Sequence, residues 1–392
     1  MAPGSRNPTP LFAVAAGMSV ANVYYAQPLL DAVARDFSIP QAAIGGIVTA
    51  TQLGCGLALL FVVPLGDLLE RRRLMLAQAL LLAAILGAVG MAASAPLLLA
   101  AMLLTGLLGT AMTQGLIAYA AGSAAEHERG RVVGATQGGV FVGLLLARVV
   151  AGGIGDVAGW RGVYLCSAGA MLLLAALLWR RLPTLERSGA NMPYPALIAS
   201  MMGLLRRHRV LQVRGVLALL MFAAFNVFWS ALVLPLSAAP YAFSHTAIGA
   251  FGLVGAAGAL AATHAGRLAD HGFERQVTLG ALLLLLLAWL PLALMPVSLW
   301  ALVIGIVLLD LGGQAIHVTN QGMIFRSDSQ AHSRLVAAYM LFYAVGSGLG
   351  AMASTQVYAR AGWTGVCLLG SGISLAALLF WMATRRLGGG SD

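Results

Sequence analysis

Three fragments of this chain occur twice, in the same order and at almost the same separation. Ala43-Ile44-Gly45 returns as Ala247-Ile248-Gly249 and Asn22-Val23 as Asn226-Val227, each 204 residues later, while Ala158-Gly159-Trp160 returns as Ala361-Gly362-Trp363 after 203. One block has therefore been used twice, and the fold must accommodate two similar halves related by an approximate symmetry axis.

The apolar content decides the solvent around those halves. With 60% hydrophobic and only 9% charged residues among 392, the chain has more apolar surface than a water-soluble fold of that length buries. Twelve segments approach the ~20 residues needed to cross hydrocarbon. They run over 11–33, 43–65, 74–94, 97–122, 132–155, 161–180, 213–237, 245–266, 276–295, 297–322, 335–358 and 362–384. The expected fold is an all-α integral membrane protein, with twelve transmembrane helices in two pseudo-symmetric six-helix bundles. The halves are 1–180 and 213–392, joined by a cytoplasmic linker at 181–212 that contains Pro183, Arg187, Pro193 and Pro195. Within it Leu197, Ile198, Met201, Met202 and Leu205 keep helical spacing ahead of Arg206-Arg207-His208-Arg209. That pattern predicts an amphipathic helix on the inner leaflet. Roughly ten residues precede the first span with no small-residue cleavage site, so no removable signal peptide is expected.

The net charge of +10 does not require a nucleic acid. All 23 basic residues are arginine, and on this topology 19 face the cytoplasm. Arg35, Arg161 and Arg360 fall outside, and Arg148 falls within the bilayer. This is the positive-inside bias, with both termini cytoplasmic. Cys55, Cys166 and Cys367 all sit in apolar segments and predict neither a disulfide nor a metal site. No phosphate-cradling loop with lysine and no His/Cys cluster with metal spacing is present, so no cofactor and no catalytic residue are expected. A polytopic membrane enzyme, the rival class, would need acids or histidines clustered at one membrane face.

The turn between spans two and three reads Gly66-Asp67-Leu68-Leu69-Glu70-Arg71-Arg72-Arg73. Its counterpart between spans eight and nine reads Gly266-Arg267-Leu268-Ala269-Asp270-His271-Gly272-Phe273-Glu274-Arg275. Here the chain resembles the major facilitator superfamily, whose loop between helices 2 and 3 reads G-x-L-A-D-R-x-G-R-R; the resemblance covers essentially the whole chain. A carboxylate at one helix end can pair with arginines and with the N-terminal amides of a neighbour. Asp67, Arg71, Arg72, Asp270 and Arg275 are thus candidate gating residues; the alternative is that such charges only fix topology and solvate a turn. The stretch from Asn22 to Leu30 also resembles bacterial efflux-type members described as drug or sugar exporters. That implies a monomeric, proton-coupled antiporter in the bacterial inner membrane, exporting a small organic compound by alternating access. Two marks of the proton-coupled exporters are changed: Thr105 stands four residues before Gly109 where they commonly carry arginine, and Leu144 rather than proline follows Gly143.

The polar residues inside spans mark candidate sites. Asn22, Tyr24, Tyr25 and Gln27 on span one, with Asn226 and Trp229 on span seven, fall near mid-membrane and offer amides beside broad aromatic faces. Gln114 gives span four a polar stripe, and Gln314 does so on span ten. These are the expected substrate contacts, although the amides would serve equally as hydrogen bonds between helices. Asp310, near the middle of span ten, costs about 2.5 to 3.5 kcal/mol there unless it faces water or a partner. It is the first candidate for proton coupling, with His317 two turns further along the same face and Asp31 at the outer end of span one. Arg148 is either a clamp for a substrate carboxylate, which would make the chain an organic-anion carrier, or a structural partner of Asp310.

Overall fold

The computed structural model describes residues 9–182, 193–327 and 332–385. Pro183, Arg187, Arg6 and Arg386 lie outside the described residues, and the side chains of Asp67 and Asp270 are likewise outside what is described. Every regular element among the described residues is helical. Hydrocarbon leaves no other choice to a chain without a closed barrel, because each backbone N–H and C=O must be paired within its own segment.

Among the described residues, eight helices are long and apolar enough to cross a membrane. Two of them hold two spans each. Arg129–Arg181 is broken at Gly159 (φ 70°, ψ 172°) and His332–Thr384 at Gly362 (φ 59°, ψ −157°). Span one is Thr9–Tyr24 continued by the 3-10 turn Gln27–Leu29 and by Leu30–Phe37, and span eight is His245–Val254 followed by Ala256–Leu268. The segments total twelve, as the hydropathy predicted.

Gly159 and Gly362 lie at the end of the bundle that the arginine bias assigns to the outside. Their backbone angles belong to a region essentially restricted to glycine. A Cβ would meet nothing within 4 Å at either position, so the turn itself demands glycine. The tryptophan after each corner is then anchored: Trp160 Nε1 donates to Asp36 Oδ2 at 3.0 Å and Trp363 Nε1 to the Leu292 carbonyl at 2.8 Å. The repeated asparagines match as well, Asn22 Nδ2 donating to the Met18 carbonyl (2.8 Å) and Asn226 Nδ2 to the Phe222 carbonyl (3.1 Å), four residues back in both cases.

Large apolar side chains such as Leu80, Leu81, Leu173 and Trp179 point outward, as they must when lipid is the surroundings. Glycines sort into two uses. Gly139 and Gly143 of span five receive the backbone of Ala13 and Gly17 of span one, and Gly346 and Gly350 of span eleven receive Leu219 and Ala223 of span seven. These pairs pack helices within one half. Gly45 instead abuts Ala351 across the halves, and Gly249 abuts the Arg148 carbonyl, so the repeated Ala-Ile-Gly fragment marks close approach of the two bundles. Thr355 Oγ1 accepts from the Gly45 amide at 3.2 Å, and Thr49 Oγ1 donates to the Gly348 carbonyl at 2.8 Å, closing spans two and eleven together toward the outer end.

Candidate functional site

Span one loses helical continuity after Tyr24, where Pro28 withholds an N–H and the chain passes through a 3-10 turn. The interruption presents Gln27 to both halves. Its Oε1 accepts from Arg148 Nε at 2.9 Å and its Nε2 donates to Asn226 Oδ1 at 3.3 Å, a continuous link from span five through span one to span seven. Arg148 is 3% exposed, and its guanidinium carbon lies 4.1 Å from the centre of the Trp229 ring and 5.6 Å from that of Tyr24. The cation is therefore held by π faces and one amide rather than by an ion pair. Arg148 Nη2 and Trp229 Nε1 are buried without hydrogen-bond partners. Beside them Gln27, Pro28, Leu232, Val233 and Ile248 leave a space of about 10 Å³, room for roughly one water.

Asp310 is 5% exposed, and its Oδ2 also lacks a partner. It meets the same face of span eight as Arg148 does. A Cβ on Gly252 would lie 3.3 Å from Arg148 Cδ, and one on Gly255 would lie 3.1 Å from Asp310 Oδ2. Residues three apart share a helix face, so opposite charges flank one glycine strip without touching. A Cβ on Gly258, the next position along that strip, would lie 3.0 Å from Gln314 Cγ.

The other predicted contacts divide. Tyr24 and Tyr343 of span eleven join hydroxyl to hydroxyl across the halves. Asn22 is fully buried, with Nδ2 on Met18 and Oδ1 accepting from Ser167 Oγ at 2.6 Å, so its amide is engaged inside the N-terminal half. Tyr25 lines an apolar groove between spans one and five with Gly138, Gly139 and Gly143. Gln114 lines a different cavity, next to Arg71 and Gln78. His317 Nδ1 sits 3.1 Å from the Tyr339 hydroxyl with its ring stacked on that tyrosine, and Phe222 bridges from His317 to Tyr343 by edge-on contacts.

Among the turn residues, Arg71 donates from Nε to the Gly66 carbonyl (3.1 Å) and from Nη1 to the Ala118 carbonyl (3.2 Å), and Arg72 Nη2 donates to the Trp179 carbonyl (2.7 Å). They tie the ends of spans two, four and six to span three. Arg275 is exposed near Trp381 and Arg385.

At the end that the arginine bias assigns to the outside, the structure joins Asp31, a proton-coupling candidate from the sequence, to two residues that sequence reasoning did not select, His245 and Asp156. Asp31 carries an ion pair to Arg35 at 3.0 Å and faces His245 Nε2 at 3.1 Å, while Asp156 Oδ1 faces His245 Nδ1 at 3.0 Å. The histidine of the C-terminal half thus stands between two carboxylates of the N-terminal half. It can donate to both only with two ring protons. Asp156 also caps span eight: Oδ1 accepts from the His245 amide at 2.9 Å, and Oδ2 accepts from the Thr246 amide at 2.8 Å and from the Thr246 hydroxyl at 2.5 Å. Burial opposes charge on Asp156, but the Thr246 hydroxyl and amide and the His245 amide and ring overcome it and hold the carboxyl down to about 2. Nothing local flags this role, since an aspartate at the end of a span is ordinary in sequence.

Comparison with known proteins agrees with this architecture. The family model described as Major Facilitator Superfamily matches residues 12–262 and 215–388. The uncharacterized transporter YgaY of Escherichia coli O157:H7 is 43% identical over 371 residues, covering 95% of this chain and 94% of that protein. The probable transporter SCO4007 of Streptomyces coelicolor is 32% identical over 380 residues, covering 96% and 86%. Among solved structures, a bacterial homolog of the human lysosomal transporter Spinster, in an inward-facing and unoccupied conformation, superposes with a TM-score of 0.78 at 14% identity, covering 96% of each chain.

Proposed function

The chain belongs to the major facilitator superfamily of membrane transporters, and we propose that it carries a small organic anion by alternating access, with Arg148 as the anchor and Asp310 as the proton carrier. The observation that carries this reading is the pair of unpartnered donors, Arg148 Nη2 and Trp229 Nε1, buried side by side where the halves meet. An unmade hydrogen bond in a dry site costs about 1 to 3 kcal/mol. A carboxylate arriving there would satisfy both donors and the guanidinium charge at once.

Charge balance supports proton coupling. Asp310 offsets Arg148 across the glycine strip without contact, and an anion on Arg148 removes that compensation. The unpartnered Asp310 carboxylate then gains from a proton, so proton and anion bind together and move in the same direction. Export of an organic compound against protons is the second reading, favoured by the unpartnered Oδ2, which a cationic solute would fill in competition with the proton. In either case the protein acts as a monomer in the bacterial inner membrane with both ends in the cytoplasm.

Proteoliposomes with an imposed pH gradient separate these readings. Under the first, labelled carboxylates accumulate in an alkaline lumen, and Asp310→Asn abolishes accumulation while preserving counterflow. Accumulation of a solute in an acidic lumen instead establishes exchange, and undiminished proton-driven flux in Asp310→Asn removes Asp310 from coupling.

A further inference from the structure

A second cavity, of about 100 Å³, lies where the turn after span two, spans three and four, the linker helix Tyr194–Arg207 and span eleven come together. Its apolar walls come from all three parts of the chain: Pro64 and Met75 from the N-terminal half, Leu197 and Met201 from the linker helix, and Ala337 from the C-terminal half. The linker helix is fastened over it at two points. Tyr194 donates its hydroxyl proton to the Phe61 carbonyl at 2.6 Å, and Arg334 Nη1 donates to Ser200 Oγ at 3.2 Å.

The lining is not purely apolar. Arg71 and Arg334 line it from opposite halves, Arg71 with Nε and Nη1 already given to the Gly66 and Ala118 carbonyls, and Gln78 lines it from span three. Gln78 is 4% exposed, and its Oε1 is buried without a hydrogen-bond partner. A Cβ on Gly115 of span four would lie 3.6 Å from that oxygen, so the amide is directed at the open space that the missing side chain leaves. A buried acceptor without a donor is as costly as a buried donor without an acceptor, and it gives the cavity a chemical preference.

We propose that this cavity is a binding site, separate from the Arg148 centre, for a small amphipathic carboxylate that also carries an O–H or N–H donor. The carboxylate meets Arg334, the donor meets Gln78 Oε1, and an aryl or short alkyl body fills the space between Met75, Met201 and Ala337. A volume of about 100 Å³ suits a body of that size. An occupant touches the N-terminal half, the linker helix and the C-terminal half together, so it favours the arrangement in which those three surfaces are joined and slows the movement that separates them. The site regulates transport whatever the central centre carries.

The probe is radiolabelled 4-hydroxybenzoate, measured by equilibrium dialysis with protein in zwitterionic lipid nanodiscs, with benzoate and 4-hydroxybenzyl alcohol as competitors. Saturable binding is expected to persist in Arg148→Gln, which separates this site from the central one. Arg334→Gln is expected to weaken it at least tenfold, and Gln78→Leu to abolish the preference for 4-hydroxybenzoate over benzoate. Gly115→Val, which fills the cavity from span four without changing charge, should eliminate binding while the protein remains monodisperse with an unchanged melting temperature. Absence of saturable binding, binding lost in Arg148→Gln, or binding indifferent to Gly115→Val and Arg334→Gln would each overturn the assignment.

Discussion

The carboxylate of Asp156, at the end of span five, closes the first turn of span eight in the opposite half by accepting from the Thr246 amide at 2.8 Å and the Thr246 hydroxyl at 2.5 Å. The first amides of any helix need acceptors, and most helices find them in their own preceding residue. Here Ser244 supplies one such bond, accepting from Ala247 at 3.2 Å, and the rest comes from across the halves. Opening the outer end must leave those amides to water.

Removing that cap should therefore favour the outward-open arrangement. Asp156→Ala forfeits about 1 kcal/mol of capping, a shift of about fivefold in the balance of states. Spin labels at Val157 and Ala238, both exposed at the outer end, in a background lacking the native cysteines, should report a larger long-distance population. An unchanged distance distribution would show that Asp156 does not hold the halves together.

The same residue predicts an acid dependence. Its carboxyl titrates near 2 in the folded protein against about 3.9 in an unfolded chain. A depressed value means that the stabilisation is complete above about pH 4, declines as pH falls from about 4 toward 2, and is gone below that. The difference in melting temperature between the wild type and Asp156→Asn should follow this course between about pH 5 and about pH 2. A difference that stays constant through pH 2 would contradict it.

Substitution of Arg148 by lysine tests geometry apart from charge. Lysine keeps the positive charge but loses the planar stack on Trp229 and the Nε bond to Gln27. If Arg148 anchors an anion, Arg148→Lys should weaken carboxylate affinity about thirtyfold, corresponding to about 2 kcal/mol. Counterflow rates across a concentration series measure this directly, and wild-type affinity in the lysine variant would leave the arginine without a binding role.

The two outer corners should respond alike. Gly159→Ala and Gly362→Ala each place a Cβ on a backbone that L residues avoid, at about 1 to 3 kcal/mol, with no neighbour close enough to add a clash. Comparable losses of thermal stability are expected. A large loss at one and none at the other would argue that the repeated Ala-Gly-Trp fragments do not occupy equivalent corners.

The fold was readable in the sequence because hydrocarbon thickness sets segment length and because duplication left its marks at positions with strict backbone requirements. Gly159 and Gly45 repeat because a corner and a close approach admit little else. The site was readable only in part. Arg148 and Asp310 stand out as charges in apolar runs, but their shared glycine strip belongs to a third helix, and no local pattern in spans five or ten points to it. Asn22 reads in the sequence as a substrate contact or an interhelical bond because amides in lipid need partners, and the sequence does not point to Ser167 on span six, which bonds to it here. Of the outer latch only Asp31 stood out in the sequence. Asp31, Asp156 and His245 sit at span ends, where polar residues are common, and only their convergence gives them meaning.

The glycine corners at 159 and 362 also have a mechanical consequence. A hairpin that reverses without spare residues behaves as a stiff lever, unable to absorb motion at its tip. Movement at the outer rim is then carried by separation of the two halves and not by bending within either hairpin.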